Sequence, residues 1–110
     1  MSHNLDNYPL LEANISISAS GDNTVIVGVA GRTIRVFKLF LVVASTVTLT
    51  FKDGIATTIS GALPMTANGS IVLDFDGEHW FVTSLGNDFI INLSSTVGVF
   101  GRIYYTQSVP

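Results

Sequence analysis

TVTLTFKDG, residues 46–54, decides the fold class, because it alternates apolar and polar side chains with a period of two. Val47, Leu49 and Phe51 share one face of the predicted strand, and threonine and lysine side chains occupy the other. Such alternation is typical of a half-buried β-strand. The Asp53-Gly54 dipeptide then favours a type I′ turn, whose two central residues need a positive φ. We therefore expect a β-hairpin here, with its second strand ending near Ile59.

Similar patterns recur along the chain and predict about eight strands. Residues 13–19, 24–29, 32–44, 70–75, 80–83, 89–94 and 97–106 also have strand character. Turn-forming residues separate these segments, and no window of ten residues has helical spacing. The predicted fold is therefore all-β, an antiparallel β-sandwich of jelly-roll type.

The longest segment, residues 32–44, changes parity in its middle. Ile34 and Val36 occupy one face, Lys38 then appears on that face, and the odd-numbered positions from Phe37 to Val43 are apolar. A parity change of this kind is produced by a β-bulge or by a strand that crosses between sheets. We expect a bend near Phe37 and Lys38.

The first residues differ from the rest of the chain. Residues 1–12 are polar and do not alternate, apart from an apolar group formed by Tyr8, Pro9, Leu10 and Leu11. We predict that residues 1–12 form an N-terminal arm that is mobile in the free protein and folds against a partner, with these four residues as its partner-binding side chains. Residues 13–110 are predicted to form a single domain.

Composition narrows the function classes. The chain of 110 residues has a net charge of −3, which argues against nucleic acid as a partner. The most apolar stretch, residues 36–44, contains Lys38 and is far shorter than the roughly 20 residues that span a bilayer, so no membrane segment is expected. Charged residues make up only 12%, about half of the roughly 25% typical of soluble domains. Such a surface suits either a subunit packed against others or a monomer rich in serine and threonine.

No motif for catalysis or cofactor binding is visible, so neither an enzyme nor a cofactor is predicted. The acidic run 74–79, DFDGEH, could in principle bind calcium, but it lacks the full ligand pattern and is typical of a solvated turn. Trp80-Phe81 and Tyr104-Tyr105 could stack on sugars. Because neighbours in a strand point to opposite faces, only one member of each pair can be exposed.

The docking surface stays open at this level. The five cations are either solvated and paired at the surface or contacts to an acidic partner, and the sequence does not separate these alternatives; they are Arg32, Arg35, Lys38, Lys52 and Arg102. Low charge favours docking through backbone hydrogen bonds at a sheet edge. The predicted edges are the 46–59 hairpin, including Thr48, and the 97–106 strand.

Five blocks of the chain resemble the capsid decoration proteins, also called cement or staple proteins, of short-tailed, epsilon15-like bacteriophages. The blocks are GDNTVI (21–26), VAGRTIRV (29–36), GALPMTANG (61–69), WFVT (80–83) and NLS (92–94). The resemblance extends over about residues 15–106 and excludes the predicted arm.

The resemblance implies a jelly-roll protein made in the host cytoplasm and located on the capsid exterior. There it would bind the outer surface of a shell of HK97-like major capsid protein, often as a dimer or trimer, and stabilise the head. The resemblance brings no enzymatic site. An alternative with the same fold is a receptor- or carbohydrate-binding module of a phage tail or fibre.

Overall fold

The structure, a computed structural model, describes residues 9–110. Ten β-strands account for its regular structure, and none of the described residues lies in a helix that is long and apolar enough to cross a bilayer. The strands are β1 (Leu11–Ile17), β2 (Gly21–Ile26), β3 (Thr33–Val43), β4 (Val47–Asp53), β5 (Thr57–Thr58), β6 (Leu63–Met65), β7 (Ser70–Leu73), β8 (Phe81–Val82), β9 (Phe89–Leu93) and β10 (Val99–Ser108).

The strands form two antiparallel sheets. In sheet A the order is β1-β10-β3-β7, with β8 beside the other end of β3. In sheet B the order is β2-β9-β4-β5, with β6 beside the other end of β4. The first four strands and the last two alternate between the sheets, which is the winding of a jelly roll. The predicted jelly-roll sandwich is therefore confirmed, with ten strands instead of about eight, and the strand that was not predicted is β6.

The core lies between the sheets. In β4 the inward residues Val47, Leu49 and Phe51 are all buried, as the alternation predicts. The Phe51 ring lies 4.9 Å from the ring of Phe81 in sheet A and 5.9 Å from that of Phe89 in sheet B, measured between centroids. These rings join the two sheets near the end where β4 finishes.

The predicted bend in β3 is confirmed. Tyr104 of β10 lies opposite Lys38 and Tyr105 lies opposite Val36, so Phe37 is an extra residue in β3. This bulge turns the Phe37 side chain to the outer face of sheet A and restores the inward orientation at Leu39.

Several predicted boundaries are wrong, each because of a distant partner. β1 begins at Leu11, two residues inside the predicted arm, since it pairs with Tyr105 of β10. β2 begins at Gly21 within a predicted turn, because residues 21–24 pair with β9. Residues 61–69, which were predicted as part of a turn-forming connection between strands, contain β6, in which Pro64 occupies a short edge strand beside β4.

The hairpin of β4 and β5 is confirmed, but its turn type is wrong. Asp53 pairs with Thr57, so residues 54–56 form the loop, and of these only Gly54 has a positive φ, 68°. A type I′ turn needs two such residues. Asp53 belongs to the strand, where its side chain is buried.

The predicted docking edges are wrong for β10 and β4, whereas β5, the second strand of the predicted 46–59 hairpin, does lie at an edge of sheet B. β10 lies between β1 and β3, and β4 lies between β9 and the short strands β5 and β6. Thr48 pairs with Pro64 on one side and exchanges hydrogen bonds with Ser94 on the other. Because both strands are interior, their backbones have no free side for an incoming strand.

Candidate docking face of the sandwich

Four exposed apolar side chains lie together on the outer face of sheet A. The strand register places Phe100 of β10 opposite Val42 of β3, and it places Phe40 of β3 opposite Val72 of β7. Each of these side chains is between 40% and 61% exposed. They occupy two adjacent rows across three neighbouring strands, and we call them the apolar quartet. Contiguous exposed apolar side chains of this kind mark interaction sites on soluble proteins.

Alternation along the strands explains why the quartet faces outward. In β3, Leu39, Leu41 and Val43 point into the core, so Phe40 and Val42 between them point out. Beside them, β10 carries Gly101, where an added Cβ would lie 1.9 Å from the Phe40 carbonyl oxygen. Glycine at this position therefore allows the close backbone approach of the two central strands.

The quartet escaped the sequence analysis, although a signal for it exists. Phe40 and Val42 have the parity of Lys38, and Phe100 has the parity of Arg102. Apolar residues in register with charged ones lie on the solvent side of a strand. The predictions from sequence rested on the inward positions of these strands, so the outward apolar residues were missed.

Two cations border the quartet at one end. Lys38 lies opposite Tyr104, and Arg102 lies opposite Phe40. The Lys38 Nζ and the Arg102 Cζ lie 5.5 and 5.6 Å from the centroid of the Tyr104 ring, within the range of cation–π attraction. Arg102 also donates a hydrogen bond to Asn14 and forms an ion pair with Glu12. The ring thus holds both cations against the outer face of the sheet.

Arg35 is a third cation on this face, and with Lys38 and Arg102 it forms what we call the cationic strip. It lies opposite Thr106, and its Nη1 donates a hydrogen bond of 2.9 Å to the Oγ of Ser108. Within residues 9–110, neither Arg35 nor Lys38 forms a salt bridge with a carboxylate.

An aromatic group lies beside this strip. The bulged Phe37 packs against Phe75 and His79, with ring centroids 6.0 and 6.2 Å away. The indole Nε1 of Trp80 donates a hydrogen bond to the Asp74 carbonyl oxygen, and the Trp80 side chain is exposed.

The 74–79 run forms a connection between β7 and β8, in which Gly77 has a φ of 98°. The Asp76 carboxylate accepts a hydrogen bond from the Glu78 amide, a local turn contact. Nowhere in the described part of the chain do three or more His, Cys, Asp or Glu side chains gather as metal ligands would.

The aromatic pairs divide between the two faces as predicted. Phe81 packs against the core while Trp80 is exposed. Tyr105 packs against the core, and Tyr104 lies on the outer face beneath the two cations.

A second exposed apolar group lies at the end of the sandwich where β2 and β4 finish. The Asp88 Oδ1 accepts a hydrogen bond of 2.6 Å from the Gly28 amide, and the Asp88 carbonyl accepts one from Gly54. These bonds join three loops, whose exposed large apolar side chains are Val27, Val29, Ile55 and Leu85. Among residues 9–110, the cation–π pairs lie at Tyr104 on the face of sheet A and not at this end.

Of the predicted partner-binding residues, the structure describes Pro9, Leu10 and Leu11, and these do not join the quartet. Tyr8 lies outside the described residues. Pro9 and Leu10 precede β1, and both Leu10 and Leu11 are exposed. Leu11 pairs with Tyr105, whereas the opposite end of β1 lies beside Phe100. The role of these residues in binding stays a prediction.

Comparison with known proteins finds matches among solved structures. No protein-family model matches the chain, and no curated protein matches it significantly. Among solved structures, a chain of the cyanophage Pam1 capsid asymmetric unit is similar over 94% of this chain and 86% of its own length. The two chains are 14% identical and superimpose with a TM-score of 0.44.

Proposed function

We propose that this protein is a virion structural protein of a tailed bacteriophage that decorates the capsid. It binds the outer surface of a shell of HK97-like major capsid protein and stabilises the head. The observation that carries the proposal is the exposed apolar quartet on a sheet face of a protein with only 12% charged residues. The sequence resemblance to decoration proteins supplies the identity of the partner.

The proposed activity is binding and not catalysis. A protein that binds the assembled shell, but not free capsid subunits, stabilises the shell by the free energy of that binding. On a lattice of many identical sites, small contributions accumulate along the whole shell. Self-association as a dimer or trimer would let one particle contact several sites at once and raise its avidity.

The N-terminal residues are proposed as an additional contact. Leu10 and Leu11 are exposed where the chain enters β1, next to the described start of the domain. Together with Tyr8 and Pro9 they would bury apolar surface on the partner, in addition to the contact made by the sandwich.

The copy number of the protein per virion tests the proposal. We expect purified particles to carry hundreds of copies, located on the head, when quantified against the major capsid protein on a stained gel. A receptor- or carbohydrate-binding module of the tail would appear in only a few copies per particle. Such a low number, or absence from purified particles, would contradict the decoration role.

A further inference from the structure

We propose that the outer face of sheet A is the docking surface, and that its partner presents an apolar patch bordered on one side by carboxylates. This inference deepens the proposed function and rests on it, because it assigns the contact between the protein and the shell to a particular face and chemistry.

Positive charge is concentrated on the outer face of sheet A. The chain has a net charge of −3, yet three of its five cations lie on the two central strands of sheet A: Arg35, Lys38 and Arg102. Carboxylates near this face lie at its margins, with Glu12 on the edge strand β1 and the acidic 74–79 connection beyond β7. Since Arg102 is paired with Glu12, a partner seated over the central strands meets two cations without a salt bridge in the described residues, Arg35 and Lys38, in an otherwise acidic molecule.

The cations and the apolar quartet lie towards opposite ends of the same face. Counted along β3, Phe40 and Val42 lie towards one end, and Arg35 and Lys38 lie towards the other. An apolar partner surface that covers the quartet brings its own neighbouring groups over Lys38. Since Lys38 forms no salt bridge within residues 9–110, a carboxylate there would gain an ion pair without breaking one.

The same asymmetry argues against a second copy of this chain on the face. If two copies stacked their quartets with strands aligned, the cations of one would lie over the cations of the other. If the strands were reversed, the cations would lie over the other end of the face, where Ser16 and Ser70 flank Phe100 and Val42. The reversed arrangement places no described carboxylate over the cations, and in the aligned one the Glu12 carboxylate at that end is already paired with Arg102 of its own copy, so charge complementarity favours a different, acidic partner.

The test uses capsid shells from the encoding phage produced without this gene, mixed with the purified full-length protein and sedimented. The apolar contact is tested with the double variant Phe40→Thr, Val72→Thr, which keeps residues suited to strands. Its matched control is Val27→Thr, Ile55→Thr, which removes exposed apolar side chains from the loop end. The cationic contact is tested with Lys38→Gln, and Ala56→Glu is its control because it changes net charge by the same amount away from the face.

We expect the Phe40, Val72 variant to bind shells at least about tenfold more weakly, as for the loss of buried anchor residues in an interface. Lys38→Gln should weaken binding by about threefold and reduce its salt dependence, since one charged contact is lost. Both controls should bind like the wild type. Thermal melts of all four variants, compared with the wild type, establish that binding losses do not come from unfolding.

Each other outcome overturns a defined part of the proposal. Binding losses in the loop-end control but not in the face variant would move the docking surface to the loops. Unchanged binding by Lys38→Gln would overturn the carboxylate border. A wild-type dimer in sedimentation velocity that dissociates in the Phe40, Val72 variant would make a second copy the occupant. Wild-type protein that fails to bind shells at all would instead overturn the proposed function, and with it the shell as partner.

Discussion

The outer faces of the two sheets differ in their side chains: one is covered by hydrogen-bonded polar groups, and the other by exposed apolar groups and cations that form no salt bridge. On sheet B, the carboxylate of Asp22 accepts hydrogen bonds from Lys52 at 3.1 Å and from Asn92 at 2.7 Å, which connects the three strands β2, β9 and β4. Threonines fill the other outward positions of β4, and the outward Ile90 of β9 is only 1% exposed. This face presents hydrogen-bonded polar groups to water.

The outer face of sheet A presents the opposite surface. Its apolar quartet is exposed, and Lys38 and Arg35 beside it form no salt bridge among the described residues. Since both sheets share one core, the difference does not arise from the requirements of folding. This difference is what the proposed docking of a partner on the outer face of sheet A requires.

We expect the largest loss of stability from a substitution in the core, and a much smaller one from the same substitution in the quartet. Phe89 is fully buried and its ring lies 5.9 Å from both Phe51 and Phe81. Phe89→Ala should lower the free energy of unfolding by about 3–5 kcal/mol, the usual cost of removing a core aromatic ring. Phe100→Ala, the same truncation on the outer face of sheet A, should cost about 1 kcal/mol. Denaturant unfolding of both variants measures this, and equal losses would mean that Phe100 serves folding.

We expect the next largest loss of stability from removing the Asp53 carboxylate, which joins β4 to the loop that follows β8. Asp53 of β4 is 9% exposed, and its carboxylate accepts hydrogen bonds from the amide and the hydroxyl of Ser84 and from the Asn87 side chain. Asp53→Ala should cost about 3 kcal/mol, because hydrogen bonds to a charged group are lost and their donors are left without an acceptor. Asp76→Ala, in the exposed 74–79 connection, should cost less than about 0.5 kcal/mol. Similar unfolding midpoints for the two variants would contradict this role of Asp53.

Substitutions in the quartet should weaken binding but change stability only slightly. Phe40→Thr with Val72→Thr gives sheet A the kind of side chain that sheet B already exposes. Because both residues are substantially exposed, the free energy of unfolding should change by less than about 1 kcal/mol. Thermal and denaturant unfolding would check this, and a loss as large as that of Phe89→Ala would show that the two faces do not differ as described.

Local patterns explain which parts of the fold could be predicted. The strand alternation and the parity change at Phe37 are properties of a few consecutive residues, and both are confirmed. Asp53 was assigned to a turn because Asp-Gly favours one locally, but its partners Ser84 and Asn87 lie more than 30 residues away in sequence. The start of β2 was missed for a similar reason, since Asp22 pairs with Asn92 of β9.

The candidate site shows the same division. That Phe40 faces solvent could have been deduced from its parity with Lys38. That Phe40 lies beside Val72 depends on the pairing of β3 with β7, which the sequence does not state. The docking edges were predicted from residue type alone, and β4 and β10 proved to be interior because strand order in a sandwich is set by all of its pairings together.

The smallest expected effect tests whether the polar network of sheet B contributes to stability. The hydrogen bond from Asn92 is the main influence that lowers the pKa of Asp22 below its ordinary value; partial burial opposes it and the contacts with Lys52 add to it. A carboxylate whose pKa is lower in the folded state stabilises the fold above its unfolded pKa of about 3.9, and this contribution is lost as the pH falls through the folded pKa.

Asp22→Asn should therefore be less stable than the wild type at pH 7, by less than about 1 kcal/mol because the pair is partly exposed to water. The difference between the two proteins should shrink below about pH 4 and vanish once Asp22 is protonated in both states. Urea unfolding from pH 2.5 to 7 measures it, and Asn92→Ala should show a weaker pH dependence than the wild type because the main cause of the lowered pKa is gone. A difference between the wild type and Asp22→Asn that stays constant over this range would mean that the charge of Asp22 contributes nothing, and that the face of sheet B is polar without being stabilised by its network.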